Sequence, residues 1–332
     1  MVRPAAILTL VLLATAAAAG QPARTADGQA DLQGVWINAS VTSLERPADL
    51  AGKEFFSTAE EARAWEEKAL KNLIAEGDEA FAESGTVAPT LRTSIIVAPA
   101  DGRIPYSAEG RKRWDATPTV TRTNPTTGPE DRPLSERCIV WGEGPPLLPR
   151  RNNPYLRIAQ APGHVVILTE MIHHARIVPL DDRPHIDARI RQWVGDSRGR
   201  WDGDTLVVDT TNFSDKVAFR GSTDALHVVE RFTRVDGNRL RYQFTIEDPG
   251  AFTQPWSGET YFERTDARMF EYACHEGNRS MELILTGGQA EQATLRRRKL
   301  SRIGIAGGAV LALAALGYAV RRRRSAAAEK IS

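Results

Sequence analysis

Cysteine is scarce in this chain: Cys138 and Cys274 are the two in 332 residues, so at most one intramolecular bridge can form. Histidine is scarce as well. The six are His164, His173, His174, His185, His227 and His275, and no pair has a zinc spacing such as H-E-x-x-H, so no metal is expected. A P-loop, a G-x-G-x-x-G opening a helix and a G-x-S-x-G elbow are all missing. Nucleotide-binding and α/β-hydrolase readings therefore have no support, and no cofactor is expected. Asp202-Gly203-Asp204 is too short and turn-like for a calcium loop. A surplus of positive charge is lacking too. The chain holds 43 Lys and Arg against 42 Asp and Glu, and that near-balance hides an uneven distribution. Residues 21–295 hold 32 basic and 41 acidic residues, a net of −9, whereas the ten basic residues from Arg296 onward face one acid, Glu329. Phosphate neutralisation needs the opposite balance, so nucleic acid is excluded as a partner of the body. Disorder is excluded by the 42% hydrophobic content, enough for a core.

Long apolar runs occur only at the two ends. Met1–Gly20 begins with a short basic region at Arg3, continues through apolar Ala5–Ala19 and offers Ala17, Ala18 and Ala19 to a signal peptidase. It reads as a secretory signal. Residues 303–320 carry no charge over 18 positions. As a helix they would span about 27 Å against a bilayer core of about 30 Å. The expectation is one transmembrane helix at 303–320 in the inner membrane, a cytoplasmic tail at 321–332 starting with Arg321–Arg324, and a periplasmic body over residues 21–295. Gly304 and Gly308 form a G-x-x-x-G, a hint of a weak homodimer through that helix. In an exported protein the two cysteines are expected to pair. The competing reading makes Cys274 a thiolate activated by His275, but neighbours on a strand point to opposite faces.

The body reads as antiparallel sheet. Leu240, Tyr242, Phe244 and Ile246 alternate with polar residues after the turn Asp236-Gly237-Asn238, and Leu226–Val235 precedes that turn. A second hairpin is centred on Asp202-Gly203-Asp204, with Thr205–Thr211 as its return strand. With Tyr155–Gln160, His164–Thr169, Ile172–Leu180, Glu259–Arg264, Met269–Cys274 and Gly34–Trp36, nine or ten strands are expected, with the main sheet at residues 155–286. Helical and proline-rich sequence is confined to residues 50–154. Ser57 and Thr58 stand before Glu60 and Glu61 as a capping box for a helix running to about Glu83, and Ser107–Trp114 suggests a second. The proline-rich residues 117–154 read as an ordered cover within one domain.

Several motifs carry a resemblance: Leu32–Trp36, Glu136-Arg137-Cys138, Arg176–Asp181, Gly195–Trp201, Thr205–Phe213, His227–Phe232, Glu247-Asp248-Pro249 and Glu271–Asn278. Together they resemble a family of poorly characterised exported bacterial proteins, over nearly all of residues 30–292. The resemblance implies a lipocalin-like β-barrel, all-β, in which Trp36 plugs the floor, and it brings no assured activity. The C-terminal span lies beyond the family pattern.

Candidate chemistry rests on few residues. His227 and Glu230 lie three apart, Glu276 follows His275, and His173 adjoins His174. These are the candidate proton-transfer groups, because imidazole titrates near working pH. Glu170, Asp209, Glu230 and Glu271 interrupt apolar runs, where an unpaired charge is costly. Arg176 and Arg231 are their expected partners, and with Tyr242 and Tyr272 they are the candidate ligand-binding residues. Trp36, Trp193, Trp201, Trp256, Tyr242 and Phe244 either line a cavity or fill a dry core. Three functions stay open: a barrel binding a small aromatic or apolar ligand, a cofactor-independent lyase, decarboxylase or isomerase, and a structural envelope protein. A cavity in which histidine and carboxylate converge would favour the enzyme, an apolar one the binding protein.

Overall fold

The computed structural model describes residues 23–75, 87–117, 128–141, 144–150, 152–217 and 219–328; the signal segment 1–20 and the far end of the first expected helix, residues 76–83, lie outside them. The described residues fall into two units. The first comes from Met1–Asp115 and Val140–Tyr272, the second from Ala116–Ile139 and Ala273–Ser332.

The first unit is built on ten strands: β1 (Gly34–Ile37), β2 (Ile96–Ala98), β3 (Tyr155–Ala161), β4 (His164–Thr169), β5 (Ala175–Pro179), β6 (Asp196–Asp202), β7 (Thr205–Thr211), β8 (His227–Arg234), β9 (Arg239–Glu247) and β10 (Trp256–Thr265). They pair antiparallel in the order β5-β4-β3-β1-β10-β9-β8-β7-β6, with β2 added on β10. Period-two burial runs through the sheet, as in β9, where Leu240, Tyr242, Phe244 and Ile246 all point inward.

The sheet is not a closed barrel, contrary to the expectation from the lipocalin-like resemblance. No ladder joins its end strands β5 and β6. They approach through side chains instead: a Cβ on Gly199 of β6 would lie 2.7 Å from Leu180 Cδ2 and 2.8 Å from Val178 Cγ1. Those side chains occupy the space between the two edges, and Pro179 has no N–H to offer a ladder. The sheet is nonetheless strongly curled, because Arg176 on edge strand β5 reaches Glu230 on β8, far along the strand order, at 2.7 Å.

Side chains fill the concave interior. Trp36, Phe232, Tyr242, Phe244, Trp256 and Phe262 are each at most 1% exposed. The Tyr242 ring centre lies 4.9, 5.3 and 5.8 Å from those of Phe232, Phe262 and Phe244. Trp36 donates from Nε1 to Leu32 O at 3.0 Å.

Both expected helices are present. In α1 (Ala59–Ala75) the Thr58 hydroxyl accepts the Glu61 N–H at 3.1 Å, and the Glu61 carboxylate accepts the Ser57 N–H at 2.8 Å. In α2 (Ala108–Ala116) Ser107 Oγ accepts from Gly110 N at 3.0 Å. Two expected strand segments differ. Met171–His173 is a 3₁₀ turn with positive φ at Ile172 and His173, so His173 is not on a strand. Met269–Cys274 is irregular, because the Phe270 N–H goes to the Glu170 side chain at 2.7 Å instead of to a ladder.

In the second unit Cys138 and Cys274 form a disulfide, Arg132 pairs with Glu136 at 2.7 Å, and Ser280–Ala328 is one helix, α3. Residues 303–320 lie within α3. Among the described residues no helix is long and apolar enough to cross a membrane, which overturns the expected transmembrane helix.

Candidate functional site

The proline-rich stretch at residues 144–150 is held by the interior of the first unit. Pro145 and Pro146 lack N–H groups, so the first donor after them is Leu147 N, which bonds Tyr242 Oη at 2.8 Å. Asn38 Nδ2 donates to Leu147 O at 3.3 Å, and Arg150 N donates to Asn38 O at 3.1 Å. Tyr242 in turn donates to Glu230 Oε1 at 2.9 Å. Glu230 also receives two bonds from Arg176, at 2.7 and 3.0 Å. Arg176 and Glu230 are 4% and 0% exposed, so this fork is a buried ion pair. Burial, followed by the neighbouring Glu230 charge, pushes the Tyr242 hydroxyl well above its ordinary range and keeps it a donor.

Over this support lies a cleft of about 350 Å³. Its lining combines Pro145, Pro146, Leu148 and Pro149 of the proline-rich stretch with Phe213, Val217, Phe219 and Leu226, and Met171, Trp141 and Trp193 also line it. Trp141 and Trp193 are 41% and 37% exposed, so each leaves much of its surface to solvent. Arg150 and Asn152 are the polar side chains of the lining, and among the described residues no histidine and no carboxylate reaches it. A second pocket, bordered by Ile37, Tyr261 and Glu263, holds about 120 Å³.

A separate chain of charged groups runs along the convex face. His227 Nε2 lies 3.0 Å from Asp209 Oδ2, and His185 Nε2 lies 3.0 Å from Asp209 Oδ1. His185 Nδ1 is 2.8 Å from Asp196 Oδ2, whose other oxygen receives Arg198 at 2.8 Å. His227 Nδ1 stands 3.6 Å from Glu247. The hydrogen bond to Asp209 raises the His227 pKa above the usual imidazole value, against the opposing effect of burial, and the bond from His227 holds the Asp209 carboxyl below its usual range.

The sequence-selected residues thus separate. Arg176, Glu230 and Tyr242 meet in the interior. His227 and Glu230 do not meet, because an odd spacing on a strand sends them to opposite faces. Arg231, on the convex face, pairs with Asp202 at 2.7 Å. His173 is exposed and its Nδ1 faces Tyr272 O at 3.1 Å, while the Tyr272 ring packs edge-on to Trp141 at 6.3 Å. His174 Nε2 is buried without a hydrogen-bond partner among the described residues, and burial, then Arg176 and His173, depresses its pKa. His275 and Glu276 are exposed in the second unit. No group of three or more His, Cys, Asp or Glu among the described residues could hold a metal ion.

His185, Asp196 and the proline wall were not picked out by sequence reasoning. Strand register carries the missing signal. Asp209 pairs with Val229 and Glu247 with His227, so Asp209 and Glu247 are the diagonal and direct neighbours of His227 on one face.

No protein-family model matches this chain, and no curated protein matches it. Among solved structures, it is similar to a secretary abundant heat soluble (SAHS) protein from Ramazzottius varieornatus, at 10% identity over 33% of this chain and 70% of that one. The TM-score of 0.22 is too low to carry an argument. What the fold and site define is an open, curled antiparallel β-sheet with an apolar cleft outside its filled interior.

Proposed function

We propose that the protein is an exported binding protein that takes a small apolar or aromatic molecule in the cleft beside Trp141 and Trp193. One observation carries the reading: a cleft of about 350 Å³ whose lining, apart from Arg150 and Asn152, is apolar and rich in aromatic rings and proline, within the range of about 300–1,000 Å³ usual for small-molecule sites. Aromatic rings and prolines have few rotatable bonds, so such a wall loses little entropy when a ligand settles on it. Arg150 and Asn152 in the lining give a ligand polar groups to orient on. The acid–base alternative gains no support here, since no histidine or carboxylate among the described residues faces this space. The Cys138–Cys274 bridge supports export, because such bonds persist in oxidising compartments.

The test is a fluorescence titration with the neutral apolar probe N-phenyl-1-naphthylamine. Saturable binding at one site is expected, weakened about tenfold or more in Trp193→Ala and Phe219→Ala, in line with the loss of a large buried contact. Binding that is absent, or that ignores both substitutions, overturns the reading.

A further inference from the structure

The cleft and one convex-face histidine, His185, share one segment, residues 180–195 between β5 and β6. Near its start stands His185, bridging Asp196 and Asp209. Near its end stands Trp193, in the cleft wall. We infer that ligand binding in the cleft is proton-linked, with His185 as a clasp that holds the 180–195 segment, and with it Trp193, against β6 and β7. The inference rests on the cleft being the binding site.

The physical reason is a count of donors. A carboxylate only accepts, and His185 faces one with each ring nitrogen. Both bonds form when both nitrogens carry hydrogen, and a neutral ring loses one of them and sets a lone pair against an oxygen. The groups around the clasp come from several elements: Asp196 and Arg198 on β6, Asp209 on β7, His227 on β8 and Glu247 on β9. His227 shares Asp209 with His185, so the two imidazoles and the one carboxylate form a coupled set.

Further bonds hold the same segment without using an imidazole. Ile186 N donates to Asp196 Oδ2 at 3.1 Å, Asn212 Nδ2 to Ile186 O at 2.9 Å, Gln192 N to Asn212 O at 2.9 Å and Ser214 N to Gln192 O at 2.8 Å. Proton loss therefore loosens the segment without freeing it. The sign follows from the donor count: the second His185 bond needs the second ring hydrogen, so the clasp weakens as protons leave. His227, which competes for the same Asp209 carboxylate, titrates above its ordinary value, so its own bond to Asp209 is complete below about pH 6.5 and is lost as pH rises through the raised value. Asp209 titrates below its ordinary value, so its share is complete above about pH 4 and is lost only as pH falls further. Affinity therefore falls on the alkaline side, where the ring has one hydrogen for two carboxylates.

The experiment titrates the full chain with N-phenyl-1-naphthylamine, which is uncharged throughout, between pH 6 and pH 9. The expected result is a dissociation constant about three- to tenfold larger at pH 9, from a smaller binding-competent fraction. His185→Gln should be flat, with the weaker affinity at both ends, while circular dichroism shows it folded. A wild-type profile that is flat with binding intact overturns the proton link and leaves the cleft reading standing. So does a His185→Gln profile that titrates like wild type. Absence of binding at every pH overturns the cleft reading itself. Acrylamide quenching then reads the clasp without ligand: Trp193 emission, isolated by difference from Trp193→Phe, should become more quenchable from pH 6 to pH 9, and invariance overturns the clasp.

Discussion

Glu230 shows how a single charged residue organises its surroundings. Its carboxylate lies in an interior of Phe232, Tyr242, Phe244 and Phe262, where an unpaired charge is costly. Arg176 supplies two bonds and Tyr242 a third. Removing one partner strands the other, whereas removing both leaves only a packing change. Arg176→Met is expected to lose about 3–5 kcal/mol of unfolding free energy in denaturant titrations, and Arg176→Met with Glu230→Leu to recover most of that loss. Equal destabilisation of the single and double variants would contradict the pairing. Tyr242→Phe is expected to cost about 1–2 kcal/mol, since Glu230 and Leu147 N each lose a partner. The same substitution should weaken probe binding by releasing the proline wall. The sequence exposes Glu230, Arg176 and Tyr242 individually, as polar groups in apolar strands. Their meeting was not legible, because it depends on how far the sheet curls between β5 and β8.

At the scale of elements, local chemistry was readable where it closes within a few residues. The Thr58 and Glu61 cap placed α1, and the Asp236-Gly237-Asn238 turn placed β8 and β9. Alternation failed where a long-range bond competes with it, as at Phe270, whose N–H is taken by Glu170. It failed also at Ile172 and His173, whose positive φ delays to Ala175 a strand that composition alone would start at Ile172. Within the sheet, Gly258 of β10 is opposite Phe244 of β9. A Cβ there would fall 2.3 Å from Phe244 Cζ, so the ring lies across the glycine backbone. This is the arrangement in which an aromatic covers a strand glycine that would otherwise leave a gap. Gly258→Ala is expected to destabilise by about 1–3 kcal/mol through overpacking. In a double-mutant cycle, Phe244→Leu should relieve part of that cost. Additive losses would show that the two residues do not compete for the same space.

For the molecule as a whole, the long-range constraints come from two kinds of link. The curled sheet closes on itself through side chains, by the Arg176–Glu230 fork and by Val178 and Leu180 against Gly199. The second unit is tied covalently, by a bond between cysteines 136 residues apart. The pairing could be anticipated from two cysteines and an export signal. The open edge between β5 and β6 could not, since strand count and alternation are the same for an open sheet and a barrel. A cross-link over so many residues restricts the unfolded chain strongly, and its loss is expected to cost about 2–5 kcal/mol. Cys138→Ser with Cys274→Ser should therefore lower the unfolding midpoint. Wild-type protein in reductant should match the double variant, while oxidised wild type stands above both. A midpoint unchanged by reductant, together with free thiols at both positions in a non-reducing peptide map, would remove the bridge from the folded protein. A reductant-sensitive midpoint with probe binding intact at low reductant-induced destabilisation would instead separate the two links: the cleft depends on the Glu230 fork inside the first unit, so Tyr242→Phe should weaken the probe where loss of the disulfide leaves its affinity unchanged.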